Sequence, residues 1–308
     1  MKNYNTKKSK FLIILAGPTA VGKTSLSIQL AKKYNAEIFS CDSRQLYKEL
    51  NIGTAKPDSA EMDGIPHHFI DSVSIETPYN AGQFERDFDQ LQKAYFENHD
   101  VAIMTGGTGM YIKAALEGLD EFPEVDEDVQ IHYQQLLKKE GIEVLQEELK
   151  QLDPEYAEKV DLNNHMRLLR ALSVIKSSGH PYSYYLNKRN KKSLPFTPIY
   201  ICLTRSRDEL YDRINLRVDQ MIEKGLLNEV KGLQSQQHLK ALQTVGYSEF
   251  FDYFNGETDL ETAVELIKRN SRRYAKRQLT WFRNQGNYAM LPAENKEAVL
   301  EYIEKKMQ

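Results

Sequence analysis

Residues 17–24 read Gly17-Pro18-Thr19-Ala20-Val21-Gly22-Lys23-Thr24, the spacing of a Walker A phosphate-binding loop. The run FLIILA before it has a buried-strand pattern and SLSIQLAKKY after it a helical one, which is the context such a loop requires. Successive backbone N–H groups of the turn point inward and the following helix adds its positive end. Lys23 supplies a point charge, and the Thr24 hydroxyl can ligate a divalent metal. The chemistry is the holding of a di- or triphosphate. Which ester, and whether ATP is involved at all, the loop leaves open.

Two further tips carry reactive side chains: Asp42-Ser43-Arg44-Gln45 follows the apolar EIFSC, and TGGTGMY (105–111) follows VAIM. In open α/β folds, ligands sit beyond the carboxyl ends of the strands, so these tips share one site with the phosphate loop. Asp42 then faces the bound phosphates, where a general base is useful; an N-cap or metal-shell carboxylate is an equal reading. Gly106, Gly107 and Gly109 permit close backbone approach, and Thr108 among them offers a hydroxyl. No apolar run ends in a Walker B aspartate. HHFID (67–71) is short and loop-like, which weighs against an ATP-hydrolysing motor. His67 and His68 lack partners at zinc-ligand spacing and are expected to be hydrogen-bonded loop residues.

The segment Lys268 to Arg283 holds seven Lys or Arg and no acid. At helical spacing Arg269, Arg272, Arg273, Lys276 and Arg277 share one face, while Ile267, Tyr274, Gln278 and Trp281 mark another that can pack on a core. A stripe this dense suits a polyphosphate backbone; the alternative is a solvated helix face.

The elements that position these residues alternate: strand 11–16, helix 24–34, strand 37–41, helix 81–97, strand 101–104. Such alternation predicts a parallel sheet with helices on both faces. Near Gly118 the pattern changes to an acidic, helix-rich tract that stops at Gly179-His180-Pro181. A basic linker follows (187–195), then a strand at 196–204 and helices at 206–234 and 259–283. The expected fold is α/β, a P-loop NTPase-like parallel sheet with an inserted, mainly helical domain. Residues 1–118 and 196–308 form the core and 119–195 the insertion. With 308 residues, a net charge of −3 and two cysteines in apolar contexts, the chain suits a reducing compartment; no segment reaches membrane-spanning length, so a cytoplasmic protein is expected.

Taken together, GPTAVGKT, DSRQLYKELNIGTAKP (42–57), GGTGMYIKA (106–114), RVDQMIEKGLLNEV (217–230), TVGYSEF (244–250) and YAKRQLTWFR (274–283) resemble the tRNA dimethylallyltransferase family, in order over almost the whole chain. The resemblance implies transfer of a dimethylallyl group from its diphosphate to N6 of the adenosine immediately 3′ of a tRNA anticodon. The phosphate loop holds the prenyl diphosphate, and ATP is not a substrate. Asp42 takes the proton of the poorly nucleophilic amine. Lys23, Thr24 with Mg²⁺, the loop amides and Arg217 stabilise the departing diphosphate, with Thr108 completing the catalytic set. Contacts to the anticodon stem-loop map onto Asp42, Ser43, Arg44, Gln45 and Thr108. They continue at Met166, Arg167, Leu168, Leu169 and Arg170, and at Gln243, Thr244, Val245, Gly246, Tyr247 and Ser248. The basic face of Arg272, Arg273, Lys276 and Arg277 adds to them, and a monomer is expected. The chain departs from the family at His165, where proline is usual after the asparagine, and at Ser248, where lysine is common. The rival readings are a P-loop small-molecule or nucleoside kinase, which consumes ATP, and a nucleotide-gated RNA-binding module, which needs no base at Asp42.

Overall fold

The strand that leads into the phosphate loop, β1 (Phe11–Ala16), is sealed on both sides: Leu12 to Ala16 are wholly buried in the computed structural model, which describes residues 9–188 and 192–308. Leu12 and Ile14 join one core with Phe39, Phe88 and Met104; Ile13 and Leu15 join the other with Ile38, Ile103 and Ile201. A continuous apolar run is what a parallel strand covered on both faces demands. Helix α1 (Lys23–Tyr34), β2 (Ile38–Ser40), the single turn α2 (Ser59–Met62), β3 (His67–His68), α3 (Ala81–Asn98), β4 (Val101–Gly106) and α4 (Gly109–Glu117) follow.

Next come α5 (Glu127–Glu140), α6 (Ile142–Leu152), α7 (Pro154–Ala157) and α8 (His165–Ser178). The chain then returns to the sheet through β5 (Thr197–Thr204), α9 (Arg207–Glu223), α10 (Leu226–Gly232), α11 (Ser248–Phe254), α12 (Leu260–Asn284), β6 (Ala289–Pro292) and α13 (Lys296–Met307). The six strands lie in the order β3-β2-β4-β1-β5-β6, all parallel. Parallel pairing requires long crossovers and sends every strand's carboxyl end to the same edge. Ala16 at the end of β1 therefore stands beside Gly106 of β4 and Cys202 of β5.

Three expectations change. The helix anticipated over 206–234 is two helices, because the chain turns at Lys224 and at Gly225, whose φ is 99°. The HHFID segment contributes a short edge strand rather than a loop, since Ile38 and Phe39 pair with His67 and His68. His68 stacks on Phe39 at 4.9 Å and meets Glu37 at 2.6 Å, while His67 Nδ1 lies 2.8 Å from the Ile65 carbonyl. Strand β6 and helix α13 were not anticipated; the strand is four residues and carries no alternation to reveal it.

The chain divides into two compact units, Met1–Leu116 with Ser193–Gln308, and Glu117–Lys192. The second has its own core of Tyr133, Leu145, Leu149, Leu168 and Leu172, and buries Asp153, which accepts hydrogen bonds from Tyr156 N, Ser183 N and Ser183 Oγ. Of the basic linker read from the sequence, residues 189–191 lie outside the described residues. No helix among the described residues is long and apolar enough to cross a membrane.

The stretch after Asn51, which borders the sheet's mouth, is fixed by one carboxylate. Glu229 of α10 accepts from the backbone N–H groups of Asn51, Ile52 and Gly53 at 3.3, 2.8 and 3.0 Å, and from the Tyr247 hydroxyl at 2.6 Å. Glu229→Ala leaves these donors without an acceptor. It should lower the unfolding free energy of the first unit by about 2–4 kcal/mol in urea titrations.

Candidate active site

At the carboxyl edge of the sheet a cavity of about 910 Å³ opens within the first unit. Its wall includes Thr19, Ala20, Gly22, Lys23 and Thr24 from the phosphate loop, Asp42 to Gln45 from the tip of β2, and Gly106 and Gly107 from that of β4. Arg213 and Arg217 of α9, Thr244 to Gly246, and Tyr274 and Gln278 of α12 also line it. The gathering follows from topology: parallel strands deliver their following loops to one side.

The loop itself is held from behind. Gly17 has φ 147°, and a Cβ there would come 2.9 Å from the Leu203 carbonyl, so only glycine fits. Arg205 donates through Nε to the Val21 carbonyl and Arg213 through Nε to that of Ala20, both at 2.8 Å. Arg217 donates to the Thr19 hydroxyl at 3.2 Å. Arg213 and Arg217 are one helical turn apart on α9 and so reach the loop from one face. Glu209, one turn after Arg205, pairs with it. Arg205 and Arg213 escaped the sequence reading; the i, i+4 spacing of Arg213 and Arg217 was the available signal.

Lys23 curls back to donate to the carbonyls of Gly17 and Pro18 at 2.9 and 2.7 Å. Burial, and then the Arg217 guanidinium, bring its pKa down to about 8. Burial also holds Arg217 below its ordinary value.

Asp42 lies on the cavity wall. Its Oδ1 accepts from Arg44 N at 2.9 Å and Gln45 N at 3.3 Å, a local turn; among the described residues Oδ2 accepts no hydrogen bond. Thr108 acts beside it: its hydroxyl accepts from Ser43 N at 3.1 Å and donates to Ser43 Oγ at 3.3 Å, tying the tips of β2 and β4. The Arg44 and Gln45 side chains are engaged with the carbonyls of Ala241 and of Thr54 and Ala55.

The profile of the family described as IPP transferase matches residues 45–285, well over half of the chain. The chain belongs to this family. It is 48% identical over 300 residues to the tRNA dimethylallyltransferase of Christiangramia forsetii, covering 97% of this chain and 99% of that one. Identity to the enzyme of the same name from Cytophaga hutchinsonii is 45%, over 97% and 98% of the two chains. Among solved structures, the full-length tRNA isopentenylpyrophosphate transferase of Bacillus halodurans superposes with a TM-score of 0.71 at 38% identity, covering 97% of each chain. A eukaryotic dimethylallyltransferase acting on tRNA gives 0.77 at 30% identity, over 92% of this chain and 74% of that one.

Not every position that the family resemblance assigns to tRNA is free to touch it. Leu168 and Tyr247 are wholly buried, in the core of the helical unit and beside Glu229 respectively, so their side chains pack rather than contact a ligand. Met166, Arg167, Arg170 and Gln243 are exposed, and Leu169, Thr244, Val245 and Ser248 are half-buried. On α12, Arg273, Lys276 and Arg277 are exposed. Arg272 is half-buried and donates to Asn215 Oδ1 at 2.5 Å; Lys268 is paired with Asp219 at 2.8 Å, so the free cationic face is narrower than the sequence suggested.

Among the described residues no three His, Cys, Asp or Glu side chains converge as a metal cage. Thr24, in the first turn of α1 and on the cavity wall, offers a hydroxyl next to Lys23. One hydroxyl suits a magnesium ion that takes its other ligands from substrate phosphates and water.

The lowered pKa of Lys23 has a measurable sign. In the free protein the amine is mostly neutral above about pH 8, whereas a bound polyanion favours its charged form, so binding takes up a proton in that range. Titration calorimetry of inorganic diphosphate with Mg²⁺, in buffers of differing ionisation enthalpy, should show wild type taking up close to one proton more than Lys23→Met at about pH 9 and no more than it below about pH 7, the ligand's own protons cancelling in the difference.

Proposed function

We propose that this protein is a tRNA dimethylallyltransferase that moves a dimethylallyl group from its diphosphate to N6 of the adenosine 3′ to the anticodon. The observation that carries the reading is the presence, on one cavity wall, of a phosphate loop and a carboxylate with an unengaged oxygen. The names of the relatives support the same activity and give no support to a kinase or a non-enzymatic RNA-binding module.

The adenine amine is weakly nucleophilic because its lone pair is delocalised into the ring. Asp42 Oδ2 accepts its proton as the new bond from N6 to the prenyl C1 forms and the C1–O bond to diphosphate breaks. The departing oxygen keeps the bonding electron pair. The loop amides and Arg217 would stabilise that charge, joined by Lys23 once its ammonium leaves the Gly17 and Pro18 carbonyls. Thr24 would hold magnesium against the diphosphate, adding charge neutralisation there. Thr108, through Ser43, keeps the Asp42 turn in place. The target base must leave the anticodon-loop stack to reach this site. The exposed cations of α12 and, in the helical unit, Arg167 and Arg170 hold the RNA backbone.

Labelled dimethylallyl diphosphate, Mg²⁺ and unmodified tRNA test this directly. Label should enter the tRNA, whereas ATP consumption without prenyl transfer would refute the assignment. Asp42→Ala should lower kcat by roughly one-hundred- to ten-thousand-fold while tRNA affinity stays near wild type. Charge reversal of Arg273, Lys276 and Arg277 together should weaken tRNA binding and flatten its dependence on salt, by roughly one unit of logarithmic slope for each phosphate no longer neutralised. Filter binding across a salt series measures this.

A further inference from the structure

We propose that Gln278 is a positioning residue of the transfer reaction, the strut that sets the diphosphate loop in register with the loop carrying Thr108. This rests on the transferase reading above.

Gln278 lies on the inner side of α12 and is only 6% exposed. Its Oε1 accepts from the backbone N–H of Thr19 at 3.0 Å, and its Nε2 donates to the carbonyl of Gly107, also at 3.0 Å. A carboxamide on this three-bond stem does both at once. Glutamate lacks the donor, asparagine is one methylene shorter, and methionine offers neither bond. Gly107 matches the arrangement, because a Cβ there would collide with Gln278 Nε2, which its two hydrogen bonds hold in place.

Each end of the strut leads to one half of the reaction. Thr19 also receives the Arg217 guanidinium on its hydroxyl, and its loop forms the diphosphate cradle. Gly107 immediately precedes Thr108, whose hydroxyl holds Ser43 beside Asp42. Leaving group and base are thus referred to a single side chain that lies on neither loop. The distance between the two loops is what sets the approach of N6 to C1, and a displacement of about 1 Å costs on the order of one-hundred-fold in rate.

The test uses the full chain with Gln278→Met and Gln278→Glu. In Gln278→Met, kcat should fall roughly thirty- to one-hundred-fold while KM for tRNA stays near wild type. In Gln278→Glu the carboxylate opposes the Gly107 carbonyl at neutral pH but regains an O–H donor once protonated. Its activity relative to wild type should therefore climb as pH falls. Wild-type kcat in Gln278→Met, or a flat activity ratio for Gln278→Glu, would overturn the proposal. So would a loss confined to thermal stability, which would leave Gln278 as a packing residue. Amide hydrogen exchange at Thr19 and calorimetric binding of inorganic diphosphate to wild type and Gln278→Met judge the strut without turnover. Faster Thr19 exchange with weaker binding supports it, and identical behaviour refutes it. If wild type transfers no prenyl group, the functional reading fails, and these two measurements still decide the role of Gln278.

Discussion

A loop whose amide hydrogens converge on one point has no internal reason to stay open: its dipoles repel until an anion arrives. Everything at the mouth of this sheet answers that constraint. The loop is held by partners at successive positions, with Gln278 and Arg217 on Thr19, Arg213 on Ala20 and Arg205 on Val21. Three of these are arginines, whose planar donors keep their charge even when buried. Lys23, the one cation there able to lose its proton near neutral pH, is pushed in that direction by burial and by Arg217. The cradle therefore limits its own repulsion before an anion binds, and charge returns when there is something to neutralise.

The rest of the first unit supplies the scaffold for this grip. Its fully buried central strand fixes where the loop begins, and the parallel order brings β2 and β4 to the same edge. Helix α9 reaches the loop with one face. Helix α12 does more, since its inner side carries Gln278 and its outer side Arg273, Lys276 and Arg277. One helix thus carries exposed cations on one side and a support of the phosphate loop on the other.

The α/β class and the family were legible because their signals are local: an apolar strand, a fixed glycine-lysine spacing, and a helix in the right place. Asp42 could be singled out because it directly follows an apolar strand. Gln278 could be assigned to a core-facing side but given no purpose, for its partners lie 259 and 171 positions away. Arg205 and Glu229 were silent for the same reason; a charged residue in a helix-rich tract reads as surface until its tertiary acceptors are known. His67 and His68 misled because two residues are too few to show a strand period. Leu168 and Tyr247 sit inside segments that also hold exposed or half-buried residues, and only the packing separates a residue that touches a ligand from the one that supports it.

The helical unit's private core has a different kind of consequence. Tyr133, Leu145, Leu149, Leu168 and Leu172 bury one another among helices of that unit, and the sheet's two cores are built from other residues. Cooperativity follows shared burial, so the chain contains two folding units rather than one. Heat or denaturant should then register as two transitions, and a single melting temperature would not be a property of the whole molecule.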